Sequence, residues 1–187
     1  AQFDGHDFVA LARQKKAAAA LVTRPISCDI PQLQVTDTIK ALGKLAMHHR
    51  QQFTLPTIGI TGSCGKTTVR SMLTHILQNC GPVLASEKSF NNAIGLPLTL
   101  LRLNKSHQYA VIEMGTNHFG EISYLTHLTQ PTAAVITNAA AAHLAGLETV
   151  QGVSRAKGEI FQGLSANGVA IINADDPYAG YWKSLLS

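Results

Sequence analysis

The sequence predicts an α/β fold, a mostly parallel sheet with helices on both faces, and three observations point to it. From residue 57 onward, short runs of branched apolar residues alternate with segments of helical period, the pattern of parallel strands joined by crossover helices. A glycine-rich turn, Gly59 to Gly65, lies where the first of those runs passes into a helical segment. The 187 residues are 45% hydrophobic and 14% charged, enough apolar surface for a sizeable core and too much for a disordered chain.

Taken in order, Phe8 to Lys16 reads as a short amphipathic helix and Ala18 to Val22 as a buried strand, which Arg24-Pro25 ends. Ser27 to Gln34 reads as a connection. Asp37 is placed to cap a helix from about Thr38 to His49, whose Ile39, Leu42, Leu45 and Ala46 share one face. Gln51 to Pro56 leads into a strand at Thr57 to Thr61, and a helix follows over Lys66 to Asn79. Next come a strand at Val83 to Ala85, a helix at Ile94 to Leu103 with Gly95 and Pro97 in its first turn, and a strand at Tyr109 to Met114. A helix at Gly120 to Leu128, a strand at Ala133 to Thr137, a helix at Thr149 to Gly163 and a strand at Val169 to Asn173 complete the alternation. Tyr181 to Ser187 reads as the interior of a further helix, so the chain is expected to be a fragment.

The turn after the strand at Thr57 to Thr61 carries the strongest chemical signal. Gly62-Ser63-Cys64-Gly65-Lys66-Thr67-Thr68 has small residues whose backbone N–H groups can turn inward on a phosphate. Lys66 supplies a point charge for the outer phosphate oxygens and Thr67 a hydroxyl for Mg²⁺, so the core is expected to be of P-loop type. The strict G-x-x-x-x-G-K-[ST] spacing is not met, since Ile60 stands where its first glycine belongs. Cys64 sits at a helix N-terminus, where a small side chain suits a phosphate cradle.

In a parallel sheet the carboxyl ends of the strands gather the ligand, and the loops there hold the other candidates. Glu113 ends an apolar strand, where it is either an acid near the metal or a solvated loop glutamate. On position alone Asn138 fits a loop cap and His143 a surface imidazole. Lys157, beside Arg155 and Glu159, fits a solvated helix face. Asn91 and Asn92 precede a helix start and suit either oxygen binding or a turn.

The formal charge of +4 invites a nucleic-acid reading, but the basic residues are scattered, with Lys15-Lys16 the one adjacent pair and no interleaved aromatic residues, so no nucleic-acid partner is expected. Cys28, Cys64 and Cys80 make no metal spacing and suit a reducing cytoplasm. The apolar run Ala17 to Val22 is too short for a membrane span.

Six blocks together resemble the ATP-dependent Mur ligases of peptidoglycan synthesis. They are Gly59 to Thr68, Phe90 to Leu101, Val111 to His118, Ala140 to Leu144, Ala156 to Phe161 and Asn173 to Asp176, and they cover nearly the whole chain. Phe3 to Phe8 looks like the end of that family's UDP-binding domain. The resemblance implies a P-loop-type ATPase core preceded by the end of a smaller α/β domain, with residues 1–53 closing the UDP-substrate domain and its linker helix and residues 54–187 opening the ATP-binding domain. It implies that Lys66 and the backbone from Gly62 to Thr68, with Asn91, Asn92 and Asn138, hold ATP. Thr67 and Glu113 would hold one Mg²⁺, Glu113 and His143 a second, and Lys66, Glu113, His143 and Lys157 would form the catalytic set. Lys157 matches a lysine that some members carry as a carbamate. The Asn91-Asn92 and Gly115-Thr116-Asn117-His118 blocks favour the branch that joins D-alanyl-D-alanine to UDP-MurNAc-tripeptide through an acyl phosphate, in a cytoplasmic monomer. The alternatives are another Mur or folylpolyglutamate synthase-like ligase, or a nucleotide-binding module without catalysis. Cys64 departs from the family, where Asn or Ser is common.

Overall fold

The computed structural model describes residues 4–87, 89–142, 144–165 and 167–186. Backbone contacts divide the chain into two units, Ala1–Leu42 and Gly43–Ser187. The boundary between these units lies within the helix Thr38–Arg50. The second half of that helix carries Ala46, fully buried, and Arg50, whose guanidinium bonds to backbone of the second unit.

In the first unit a 3-10 turn at Gly5–Phe8 runs into α1 (Val9–Gln14). Asp4 caps that turn, its Oδ1 accepting the His6 N–H at 3.0 Å. Strands β1 (Ala20–Val22) and β2 (Gln32–Gln34) pair in parallel, and Val9, Val22 and Ile30 form a small core. The expected connection at Ser27 to Gln34 therefore ends in a strand. Gln-Leu-Gln alternates over only three residues, too few to mark a strand, and its pairing with β1 is a tertiary event that local pattern does not register. Asp37 caps α2 (Thr38–Arg50), its Oδ1 accepting the N–H groups of Ile39 at 2.9 Å and Lys40 at 3.0 Å.

The second unit is built on five parallel strands: β3 (Thr57–Thr61), β4 (Val83–Ala85), β5 (Tyr109–Glu113), β6 (Ala133–Ile136) and β7 (Val169–Ile172). Their order across the sheet is β4-β5-β3-β6-β7, so β3 is central and the chain crosses from one side of it to the other between β5 and β6. A crevice therefore opens beyond the carboxyl end of β3. Register places Ile60 opposite Glu113 on one side and Val135 on the other.

Alternation along the strands serves both faces. Val111, Ile60 and Val135 face α3 (Lys66–Gln78), whose Val69, Leu73 and Leu77 pack on them. Ala110, Ile112, Ala134 and Ile136 face the larger core with Leu96, Ile122, Leu125, Ile160 and Trp182. That core is contributed by α4 (Gly95–Leu100), α5 (Glu121–Thr129), the 3-10 segment Glu159–Gly163 and α8 (Ala179–Ser184). Gly59 belongs to this face, where a Cβ would stand 3.1 Å from the Met114 methyl group.

Two helices depart from expectation. Four residues of α6 (Leu144–Leu147) precede α7 (Val150–Gly158), which Thr149 caps through the Gly152 N–H at 3.0 Å, and the chain then tightens into 3-10 geometry. Three glycines, two of them buried, underlie the break. Cβ atoms at Gly158 and Gly163 would collide with Leu185 and Thr126, and one at Gly152 with the Leu147 carbonyl, so the path is set by close approach of neighbours.

Candidate functional site

The loop from Gly62 to Gly65 closes over the end of β3 with backbone that only glycine adopts readily: φ is +151° at Gly62 and +80° at Gly65. At Gly62 a Cβ would lie 1.8 Å from Thr137 Oγ1, so the loop also presses against the loop after β6. That second loop braces it. Asn138 Oδ1 accepts the Cys64 N–H at 3.0 Å, Thr137 Oγ1 donates to the Cys64 carbonyl at 2.6 Å, and Ser63 Oγ accepts the Ala140 N–H at 3.0 Å. Asp176, from the turn after β7, accepts the Ala139 N–H at 2.8 Å and so braces the brace.

From Gly65 the chain enters α3, whose first N–H groups and positive dipole end face the crevice. Lys66 Nζ donates to the Gly62 carbonyl at 2.7 Å, and Thr67 Oγ1 donates to Glu113 Oε2 at 3.1 Å. Glu113 is only 2% exposed, and its other oxygen accepts from Asn91 Nδ2 at 2.9 Å. Arg70, one turn along α3 from Lys66, brings its guanidinium within 3.8 Å of Glu113 Oε2 and donates to the Ser86 carbonyl at 2.7 Å. The result is a crevice of about 420 Å³ lined by Ser63, Gly65, Lys66, Thr67, Asn91 and Glu113.

Beside it lies a second cavity of about 530 Å³, with Lys66 and Asn91 on one wall and Thr116, Phe119, Glu121 and Tyr124 on another. Glu121 holds the loop that forms this second wall. Its Oε2 accepts the N–H of Asn117 at 2.6 Å, the N–H of His118 at 3.1 Å and the Thr116 hydroxyl at 2.9 Å. Burial opposes its ionisation, but the Asn117 and His118 amides outweigh burial and hold the carboxyl below its ordinary range.

Lys157, expected on a solvated face, is fully buried, and its Nζ has no hydrogen-bond partner among the described residues. Burial, helped by the positive charge of Lys66, pulls its pKa down from 10.5 to about 8, against the opposing pull of Glu121 and Glu159. A lysine so placed holds more of its neutral form at pH 7–8 than an exposed lysine does.

The structure thus brings Lys66, Thr67, Glu113 and Asn91 together and puts Asn138 behind the loop. Asn92 serves α4, its Oδ1 accepting the N–H groups of Ile94 at 3.1 Å and Gly95 at 2.8 Å. Cys64 and Thr68 are exposed at the mouth. His143 lies outside the described residues. Sequence reasoning missed Arg70, Ser86 and Asp176. Arg70 had a signal, since it shares a face of α3 with Lys66 and Thr67.

Among the described residues no three His, Cys, Asp or Glu side chains gather as a metal cluster. Thr67 and Glu113 still offer two hard oxygen donors side by side at a phosphate-type loop. That small set suits Mg²⁺, which takes its remaining ligands from water and phosphate. No helix among the described residues is long and apolar enough to cross a membrane.

Residues 60–187 match the family model of the Mur ligase middle domain. Over 99% of its length the chain is 49% identical to the UDP-N-acetylmuramoyl-tripeptide–D-alanyl-D-alanine ligase of Escherichia coli K12, and it covers 41% of that protein. Among solved structures it is similar to MurF of Acinetobacter baumannii, with a TM-score of 0.95, 42% identity, and coverage of 98% of this chain and 41% of that one. It is also similar to Thermotoga maritima MurF in complex with ADP, with a TM-score of 0.88, 32% identity, and coverage of 96% of this chain and 42% of that one. The chain therefore spans about two fifths of the length of the curated relatives it matches.

Proposed function

The chain belongs to the Mur ligase family, and from that footing we propose that the protein it forms part of joins D-alanyl-D-alanine to UDP-MurNAc-tripeptide at the cost of ATP. The observation that carries the reading is the convergence of Lys66, Thr67, Glu113 and Asn91 on one crevice beside a cavity of about 530 Å³. The names of the similar curated proteins favour D-alanyl-D-alanine over other acceptors.

A carboxylate cannot acylate an amine directly, because oxide would have to leave. One carboxylate oxygen of the tripeptide instead attacks the γ-phosphorus of ATP, and the bond to the bridging oxygen breaks to release ADP. The amine of D-alanyl-D-alanine then attacks the carbonyl of the acyl phosphate, inorganic phosphate departs, and the amine proton passes to solvent or to phosphate. Such transfer needs positioning and charge neutralisation more than a protein nucleophile. The N–H groups of the Gly62–Thr68 segment cradle the phosphates, Lys66 neutralises the outer oxygens, and Asn91 fixes the Glu113 carboxylate. Mg²⁺, held by Thr67 and Glu113, would draw charge from the transferring phosphoryl group. A second ion shared by Glu113 and His143 belongs to the same proposal, as do a cytoplasmic setting and a monomeric state.

In the cavity the tripeptide carboxylate would lie toward Lys66 and the rest of the peptide along Thr116, Phe119 and Tyr124. Residues 1–42 would be the end of the UDP-substrate domain. Lys157 fits a carbamate: its buried amine, depressed to about 8, is nucleophilic enough to take up carbon dioxide, and the product carboxylate would meet the charge of Lys66. An intact native mass without added carbon dioxide, together with full activity of Lys157→Ala, would overturn the carbamate.

The test is calorimetry of ATP binding with Mg²⁺, wild type beside Lys66→Ala, followed by phosphate release from the full-length protein with UDP-MurNAc-tripeptide and each candidate amine. Binding lost in the variant and release restricted to D-alanyl-D-alanine are expected. Release with a different amine would reassign the acceptor.

A further inference from the structure

The loop between β5 and α5 forms one wall of the larger cavity, and its shape is imposed from a segment about 35 residues further along the chain. Glu159, the first residue of the 3-10 segment after α7, reaches the N-terminus of α5 with both carboxylate oxygens. Oε1 accepts the Gly120 N–H at 2.8 Å and Oε2 the Ser123 N–H at 3.0 Å. Gly120, the N-cap of α5, has φ +83° and no side chain of its own to cap with, so Glu159 supplies the capping carboxylate from outside. Four residues earlier on α7, the Arg155 guanidinium lies over the Phe119 ring, 5.5 Å from its centre, and Phe119 lines the cavity. Gly146, in α6, completes the contact from below: a Cβ there would come within 2.1 Å of the Asn117 carbonyl.

Arg155 and Glu159 flank Lys157, so one short segment carries the buried lysine and grips the cavity wall on either side of it. Glu121 transmits that grip, since its carboxylate binds Thr116, Asn117 and His118 and it is the first residue of the helix that Glu159 caps. We infer that Glu159, assisted by Arg155, is a positioning residue that sets the peptide-binding wall at Thr116–Phe119, so that its loss weakens capture of the acyl-donating peptide while leaving the nucleotide crevice intact. The crevice is braced from other places, by Asn138, Thr137 and Asp176 and by Ser86 and Asn91, and it meets the wall at Gly115, whose N–H donates to the Asn91 carbonyl at 2.8 Å on the far side of Thr116 from the end that Glu159 holds. The inference rests on the proposed use of this cavity for the tripeptide.

The experiment uses the full-length protein, with Glu159→Gln and Arg155→Gln beside wild type. Gln keeps one acceptor for Gly120 or Ser123 and turns an N–H₂ toward the other donor. KM for UDP-MurNAc-tripeptide, KM for ATP and kcat are measured below the melting temperature of all three, and calorimetry gives the affinity for UDP-MurNAc-tripeptide without ATP. For Glu159→Gln we expect KM and the calorimetric Kd for the peptide nucleotide to rise about tenfold, and for Arg155→Gln a smaller rise in the same direction, with KM for ATP within about twofold of wild type. Unchanged peptide affinity in Glu159→Gln overturns the inference. So does a parallel loss of ATP and peptide affinity, which would mark Glu159 as a general support of the fold. A wild type that binds ATP but neither binds nor consumes UDP-MurNAc-tripeptide would remove the reading of the cavity itself, a failure distinct from either of these.

Discussion

Lys157 is a cation folded into a place where it has no acceptor, and that costs stability whenever it is charged. The sign of its pH dependence follows from the shift. Its pKa is about 8 in the folded chain against 10.5 for the unfolded reference, so between those values the unfolded chain holds a proton that the folded one has released. Stability from this residue is therefore absent below about pH 8 and is gained as pH rises toward 10.5, by roughly 3 kcal/mol in total. In carbon dioxide-free buffer, Lys157→Met should be more stable than wild type at pH 7, and the difference should shrink as pH rises through 8 to 10. Urea midpoints across that range measure it. A constant difference would mean that the ammonium finds water or an acceptor and that its burial carries no charge penalty. The sequence hid this entirely. Arg155 and Glu159 made Lys157 look like part of a solvated stripe, whereas α7 is covered on the side that carries Val153, Ala156 and Lys157.

Among the elements, α2, α5 and β3 are tied together by one side chain. Arg50, 5% exposed, donates from Nε to the Thr129 carbonyl at 2.9 Å, from one terminal nitrogen to the Phe53 carbonyl at 2.6 Å, and from the other to Thr57 Oγ1 at 2.9 Å. The same planar fork also reaches the Gln130 carbonyl at 3.3 Å, so it serves four acceptors around the carboxyl end of α5, where a cation also suits the helix dipole. Arg50→Met keeps the stem and strands the Thr129 and Phe53 carbonyls, which should cost roughly 3 kcal/mol and lower the melting temperature by on the order of 10 °C. Arg50→Lys should recover only part of that, since one ammonium cannot reach all four acceptors. Melts followed by circular dichroism test both, and a Met variant melting within about 2 °C of wild type would show the carbonyls to be hydrated instead. Strands β3, β5 and β6 were legible because a strand buried on both faces reads as a bounded apolar run, and the edge strands β4 and β7 because Val83–Ala85 and Val169–Ile172 are apolar runs too, although Val169 and Ile171 are exposed. β2 and α6 were not, because Gln32–Gln34 and Leu144–Leu147 are too short to show a period and owe their conformation to neighbours.

At the scale of the molecule, the crevice and the cavity beside it differ in how local their parts are along the chain. The crevice was the more legible part of the site, because a phosphate loop is local: Gly62 to Thr68 is contiguous and its metal-side partner Glu113 ends the adjacent strand. The brace from Asn138 and Asp176 and the cap from Glu159 were illegible because they join residues 36 to 74 positions apart, which only the sheet order brings together. The two sites should separate in function. The phosphate loop and its braces all belong to Gly43–Ser187, whereas the chain spans only about two fifths of the length of the relatives it matches. Produced alone, the 187-residue chain is expected to bind ADP with Mg²⁺ and to lose that binding in Lys66→Ala. It is also expected to release no phosphate above background when given ATP, UDP-MurNAc-tripeptide and D-alanyl-D-alanine. Calorimetry and a phosphate-release assay on one preparation decide it. Robust ligation would mean that this segment alone brings both substrates together. No ADP binding would mean that the crevice needs the absent length of chain to hold even the nucleotide.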